Sequence, residues 1–474
     1  MSVIVQARSI LFAALFASVV SGEITHAQQN VLFIIVDDLR TELPVYGSST
    51  VRAPNIETLA SQGIVFQNAY SNVPVCGASR ASLMTGLRPT AERFVDFDAQ
   101  IDEDAPDVVP LHAYLKSQGY YTESIGKVIH VRKDSVDGWS RKPWLHNDAV
   151  PEERRTGHLD YQLKENIESY RSGNHGPAFE AVDVPDDAYF DGKIANRAIE
   201  ALRQRKRKGG PFFLAVGFVK PHLPFTAPKK YWNLYSTSDI QLAGQPTMPP
   251  GIPDAAVHSW GELRKFSNIP AAPAPVQDEL ARELRHGYYA SISYADSQVG
   301  RVLNALTELE LDDDTIVILI GDHGWSLGEH GLWAKHSTFD VATRAPMIVR
   351  LPAQGATGTT QGLVEFVDIY PTLAELLDLD APDHLQGRSF AAQVHDPKAP
   401  GKTAVFPRWK NGEAIKTDAY GMTVWYGESG KVRSSMLFDH RVDRIETKNL
   451  AEDPAYTETA IELRNRVEEL KAAR

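Results

Sequence analysis

Three apolar runs in this sequence end in ionisable residues. Val31-Leu32-Phe33-Ile34-Ile35-Val36 leads into Asp37-Asp38. Phe212 to Val219 leads into Lys220-Pro221-His222, and Thr315 to Ile320 into Gly321-Asp322-His323-Gly324. An acidic pair is usually a turn or a helix cap, but carboxylates that end a buried strand are costly without a counter-charge. A cation resolves that cost. Asp37, Asp38, Asp322 and His323 make an oxygen-rich set of the kind that favours Ca2+ or Mg2+, although a nitrogen ligand is less typical of calcium. Gly126-Lys127-Val128-Ile129-His130 sets a lysine three residues before a histidine. That spacing suits one side of a surface helical turn, or proton transfer near neutral pH. Cys76-Gly77-Ala78-Ser79-Arg80, continued by Ala81-Ser82-Leu83-Met84-Thr85-Gly86, holds the only cysteine of the chain, so no intrachain disulfide can form. A lone cysteine is either a small buried hydrophobe or a reactive group.

These groups need a frame. Continuous apolar runs read as strands buried on both faces, as in a parallel sheet with helices on either side. Ligands of open α/β sheets bind beyond the carboxyl ends of the strands, so the three clusters are expected at one edge of one sheet. Ile292, Ala295, Val299, Val302, Leu303, Leu306 and Leu309 recur by threes and fours, which predicts an amphipathic helix before the third run. The segment after Cys76 reads as a helix whose positive end would face an anion. Arg203 to Lys208 reads as the solvated end of a helix stopped at Gly209-Gly210. Residues 236–278, rich in Pro, Ala, Gly and Ser, read as a long irregular excursion where functional loops tend to sit. A boundary is expected in the Pro, Asp, His and Gly text near Leu379–Lys402. Beyond it, Tyr420–Tyr426 and Val432–Asp439 read as strands and Thr457–Arg474 as a final helix, a small α+β subdomain. The expected division is 1–27, 28–395 and 396–474.

Composition sets the outer limits. Of 474 residues 43% are hydrophobic and 23% charged, which excludes bulk disorder. The net charge of −12 makes a general nucleic-acid or anionic-lipid binder a poor reading. An anionic ligand must then be held by a local basic pocket. Arg8, the apolar stretch Ile10–Val20 and Thr25-His26-Ala27 read as a cleaved export signal, giving a periplasmic or secreted protein with no membrane span in the mature chain. The apolar stretch is short for a bilayer crossing.

The segment from Cys76 to Gly86 resembles the maturation signature of the sulfatases. Within that family the chain is most similar to the iduronate-2-sulfatase branch. The residues that carry this are Ser124 to His130, Val219 to Phe225, Gly287 to Tyr294 before Asp296, and Gly321 to Gly331. The likeness spans about residues 30–380 and thins beyond. It implies a large central, mostly parallel sheet flanked by helices, the alkaline-phosphatase-like sulfatase fold of the α/β class, with a small C-terminal subdomain. It implies that Cys76 is oxidised to formylglycine by a formylglycine-generating enzyme. The aldehyde hydrate then offers one hydroxyl for attack and a second whose deprotonation expels sulfate. It implies one divalent ion, generally calcium, on Asp37, Asp38, Asp322 and His323 together with the matured Cys76. Many members carry Asn where this chain has His323.

Lys127 would hold sulfate, and His130 would position the nucleophile and take its second proton. His222 would contact the sulfate and leaving oxygen, and Lys335 would bind sulfate and protonate the leaving alcohol. Arg80, Lys127 and Lys335 would make the pocket basic. Trp325 would either stack on a sugar face or anchor its loop. The implied substrate is a sulfated sugar or polysaccharide. A formylglycine-dependent phosphonate monoester or phosphodiester hydrolase shares the fold, and a non-catalytic binder of sulfated glycans is the reading from another class.

Overall fold

The three apolar runs are strands of one seven-stranded sheet in a computed structural model. The structure describes residues 29–473 apart from 153, 154, 158, 354, 428 and 429. The segment read as an export signal, residues 1–27, lies outside the described residues. The sheet is built from β1 (Asn30–Val36), β2 (Ile64–Phe66), β3 (Tyr121–Gly126), β4 (Phe212–Phe218), β5 (Thr315–Gly321), β6 (Met347–Arg350) and β7 (Gly358–Thr360). Their spatial order is β7-β2-β6-β5-β1-β4-β3. β6 runs antiparallel to both its neighbours, and the other pairings are parallel. Val36 lies level with Phe218 on one side and Gly321 on the other. The three ionisable clusters therefore leave the sheet at one edge, as the sequence predicts.

Both faces of the sheet are covered. Leu32, Ile34 and Val36 point into one core, and Val31, Phe33 and Ile35 into the other. Four helices matter here: α1 (Cys76–Thr85), α2 (Phe190–Lys208), α3 (Asp278–Glu308) and α4 (Thr457–Ala473). The first core is closed by Ala195, Ala198 and Leu202 of α2 with Ile292, Val299 and Leu306 of α3. The second contains Ala78, Ala81 and Met84 of α1 beside Ile369 and Leu373. The predicted apolar stripe of α3 faces the core, but the helix begins well upstream of Ile292, with Asp278 and Glu279 in its first turn. There the two carboxylates favour the positive end of the helix dipole. α2 ends at Gly209 with φ +68°. Its basic run is not wholly solvated, because the Arg205 guanidinium lies 3.6 Å from the centre of the Tyr121 ring. Burial of that long stem on an aromatic face is favourable.

Up to Asp278, which opens α3, residues 236–278 hold only short 3-10 turns as helical structure, yet the segment is anchored. Ile240, Ala256, Trp260, Leu263, Phe266 and Ile269 all join the first core. The C-terminal residues form an antiparallel sheet of β8 (Arg408–Trp409), β9 (Gly412–Lys416), β10 (Tyr420–Tyr426) and β11 (Val432–Asp439). α4 packs on it through Leu463 and Val467. Trp425, Met436 and Phe438 of this sheet join the first core, and polar contacts add to the junction. Thr338 and Thr423 share a hydroxyl hydrogen bond of 2.8 Å, and the Asp340 N–H donates to Glu446 Oε2 at 2.8 Å. No described helix is long and apolar enough to cross a membrane.

One close approach at the strand ends has a direct consequence. The backbone after β3 folds over Gly217 of β4, where an added Cβ would meet Lys127 O at 2.0 Å and Lys127 C at 2.1 Å. The clash is with backbone, which cannot swing aside. Gly217→Ala is expected to destabilise the protein by about 1–3 kcal/mol through overpacking, read from urea denaturation. An unchanged midpoint would show that the Lys127 turn relaxes freely.

Candidate active site

The site begins where the strands end. Asp38 adopts φ +59°, a left-handed conformation rare outside glycine. Its N–H donates to Asp322 Oδ1 at 2.9 Å and its carbonyl accepts from the Tyr288 hydroxyl at 2.7 Å. Asp37, Asp38, Asp322 and His323 are all buried to within 1%. The Nδ1 of His323 lies 2.9 Å from Gly324 O, which turns its Nε2 to 3.3 Å from Cys76 Sγ and 3.5 Å from Asp38 Oδ1.

Cys76 is the first residue of α1, and Arg80 lies one turn further along it. The Arg80 guanidinium donates from Nε to Asp322 Oδ2 at 3.0 Å and from Nη2 to Asp37 Oδ1 at 2.8 Å. Its Nη1 donates to the carbonyls of Lys127 and Val128. One side chain thus ties together the ends of β1, β3 and β5. It is 1% exposed and engaged with carboxylates behind the cavity rather than lining it.

Above this layer lies a cavity of about 730 Å³ whose lining includes Cys76, Lys127, His130, His222, Glu262 and Lys335. The Lys127 ammonium pairs with Asp37 Oδ2. Lys335 Nζ lies 2.8 Å from Asp38 Oδ1, 3.2 Å from Cys76 Sγ and 3.2 Å from Glu262 Oε1. His222 stands on the loop after β4. The N–H groups of Val219 and Lys220 donate to the Asp191 carboxylate, and the Lys220 ammonium donates to the His222 and Pro224 carbonyls. His222 Nε2 is 3.1 Å from Glu262 Oε1 and 3.9 Å from Asp38 Oδ2.

Burial and charge set the protonation. Burial alone would raise Asp37, but Lys127 and Arg80 outweigh it and hold the carboxyl well below its ordinary range. Burial pushes the Cys76 thiol well up, and Asp37 adds to this. Burial, with Lys127 beside it, lowers the His130 imidazole to about 2, so it stands neutral near pH 7.

The donor set fits a divalent cation. Ligand atoms of Asp38, Cys76, Asp322 and His323 lie within 4.8 Å of one another, and so do those of Asp37, Asp38, Cys76 and His222. The buried Asp38 Oδ2 has no hydrogen-bond partner among the described residues. An ionised oxygen left so is costly unless a cation meets it. Trp325 is 1% exposed and is not among the residues that line the cavity, and Lys335 Nζ lies 4.9 Å from its ring centre. Glu262 is the residue that sequence reasoning missed. The only signal for it was its place in the irregular excursion.

Residues 29–379 match the Sulfatase family model, and residues 328–473 match the model described as N-sulphoglucosamine sulphohydrolase, C-terminal. The chain belongs to the sulfatase family. Iduronate 2-sulfatase from Homo sapiens is 35% identical to this sulfatase, over 84% of this chain and 85% of that one. Two solved structures share the alkaline-phosphatase-like fold. One, in complex with its substrate D-glucosamine-2-N,6-O-disulfate, has a TM-score of 0.74 at 19% identity, covering 94% of this chain and 98% of that one. The other, the phosphonate monoester hydrolase SpPMH from Silicibacter pomeroyi, has a TM-score of 0.77 at 20% identity, covering 94% and 96%. At these identities the two speak to fold alone. The relationship to iduronate 2-sulfatase makes this sulfatase a hydrolase of sulfate esters.

Arg80 gives the sharpest structural test of the site. Arg80→Ala leaves two buried carboxylates without their shared partner, a loss of about 3–5 kcal/mol. Arg80→Lys keeps the charge but lacks the planar fork that reaches both acids, and is expected to fall between the alanine variant and the native protein in urea denaturation. Native stability in Arg80→Ala would mean that Asp37 and Asp322 are held by other groups.

Proposed function

We propose that this sulfatase is exported and removes sulfate from a sulfated sugar or polysaccharide, giving the sugar alcohol and inorganic sulfate. Cys76, matured to formylglycine by a formylglycine-generating enzyme, is the nucleophile position. One divalent cation, assigned as Ca2+ with Mg2+ the alternative, is held by Asp37, Asp38, Asp322 and His323 beside the matured Cys76. When present, these two groups supply an attacking hydroxyl and a positive charge that draws the sulfate oxygens. Residues 28–395 are the catalytic domain, and residues 396–474 a subdomain that helps to close the pocket.

The observation that carries the reading is the convergence on Cys76 Sγ of Lys335 at 3.2 Å and His323 at 3.3 Å on the floor of the cavity. A fixed ammonium beside the reacting atom stabilises charge as it develops, commonly the largest catalytic contribution. Lys127 and Lys335 hold the sulfate group. Lys335 or His222 gives its proton to the leaving alcohol oxygen. His130 accepts the proton whose removal releases sulfate, restoring the site. Among relatives, iduronate 2-sulfatase favours a sugar sulfate.

Peptide mass spectrometry across Cys76, on protein co-expressed with a formylglycine-generating enzyme, is expected to find a peptide lighter than the thiol form that an aldehyde reagent traps. Cys76→Ala is expected to abolish sulfate release from sulfated oligosaccharides. Appreciable turnover by that variant would refute the nucleophile assignment. Faster cleavage of a phosphonate monoester than of the matched sulfate ester would favour the phosphonate reading. Glycan binding with no release by the matured protein would favour a binder. Chelation is expected to lower both the melting temperature and the rate, with Ca2+ restoring them, because an ion bound to the native state alone stabilises it by mass action.

A further inference from the structure

Phe97 stands out among the apolar residues at the cavity. The residue is 59% exposed, although phenylalanine is normally buried. The exposure does not come from a loose segment. Phe94 is fully buried and Ile101 is 2% exposed on either side of it. The Phe97 N–H donates to Asp96 Oδ1 at 2.8 Å. Its backbone also rests on the residue after Cys76. A Cβ on Gly77 would meet Phe97 O at 2.0 Å and Phe97 C at 2.6 Å. The absent side chain at Gly77 is what allows Phe97 to sit against the first turn of α1.

Phe97 lines the same cavity as Cys76, and its backbone packs against the first turn of α1. That cavity joins apolar lining, from Phe97, Ile129 and Leu145, to the cationic groups of Lys127, Arg132 and Lys265. A sulfated sugar has the matching division, with an apolar C–H face and anionic substituents at its edge. Ligand sites of this kind combine aromatic walls with a few placed polar groups. A ring already fixed in place costs little ordering on binding.

We propose that Phe97 is the platform on which the substrate's sugar ring lies while its sulfate reaches Cys76, so that Phe97 selects for a ring rather than for the sulfate group. This rests on the sugar-sulfatase reading above. An aromatic contact present equally in the bound substrate and the transition state changes KM and leaves kcat alone.

The test compares native protein with Phe97→Ala, Phe97→Leu and Phe97→Tyr on a sulfated uronate-hexosamine disaccharide, with inorganic sulfate as product inhibitor. Phe97→Ala and Phe97→Leu are expected to raise KM about tenfold with kcat nearly unchanged, the size of a lost aromatic contact. Phe97→Tyr is expected to keep the native KM. The inhibition constant for inorganic sulfate and the melting temperature are expected to stay the same in all three. A native KM in Phe97→Ala, or in Phe97→Leu, overturns the platform while leaving the sulfatase reading intact. An inhibition constant for sulfate that rises in step with KM also overturns it, since the damage would then lie at the sulfate site. Native enzyme that cleaves a phosphonate monoester but no sugar sulfate overturns the sugar reading and the platform with it.

Discussion

The constraint on which the rest depends is the burial of three carboxylates at one sheet edge. Asp37, Asp38 and Asp322 are within 1% of complete burial. Like charges held this close in a medium of low dielectric repel strongly, and each has lost its hydration. Arg80 answers two of them and reaches across to the carbonyls of Lys127 and Val128. Because Arg80 lies one turn along α1 from Cys76, meeting the charge requirement of the strand ends also fixes the helix. The position of Sγ follows from that. The ion pairs that let the sheet edge fold are therefore the same ones that aim Cys76.

The parts of this arrangement that were legible in the sequence are those that rest on burial. β1, β4 and β5 are continuous apolar runs, and a strand covered on both faces has no other way to be written. Their common edge followed from the general position of ligand sites in such sheets. β3 was not legible in the same way. It carries Glu123 in mid-strand, buried and paired with Arg197 at 2.8 Å, and a polar residue there hides the run. β2, β6 and β7 are too short to show a period. The long helix α3 announced its second half through Ile292, Val299 and Leu306, while its first half mixes polar and apolar residues.

Roles were harder to read than positions. Arg80 and Trp325 lie where the motifs put them, but neither faces the cavity. A sequence shows a cation or an aromatic ring without showing which surface it turns to, and here both turn to the layer beneath. Glu262 is the opposite case. It meets His222 and Lys335 only because residues 236–278 fold back over the strand ends, anchored by Trp260, Leu263 and Phe266. Such a contact depends on the path of an irregular loop, for which no periodicity exists to be read.

Glu262 also changes the charge balance at the site. Arg80, Lys127 and Lys335 looked sufficient to make a basic pocket when set against ligand carboxylates. With Glu262 present, four carboxylates face three fixed cations. Each of those cations is already within ion-pair distance of a buried acid. The formal charge of this inner group is then negative, and attraction of an anionic ester falls to Arg132 and Lys265 elsewhere in the lining. A divalent cation among Asp37, Asp38 and Asp322 would reverse that sign and release part of the hold on Lys127 and Lys335. Such a cation would do more than polarise a substrate. It would set how far the lysines are free to meet an anion, because their partners in the structure are the protein's own carboxylates.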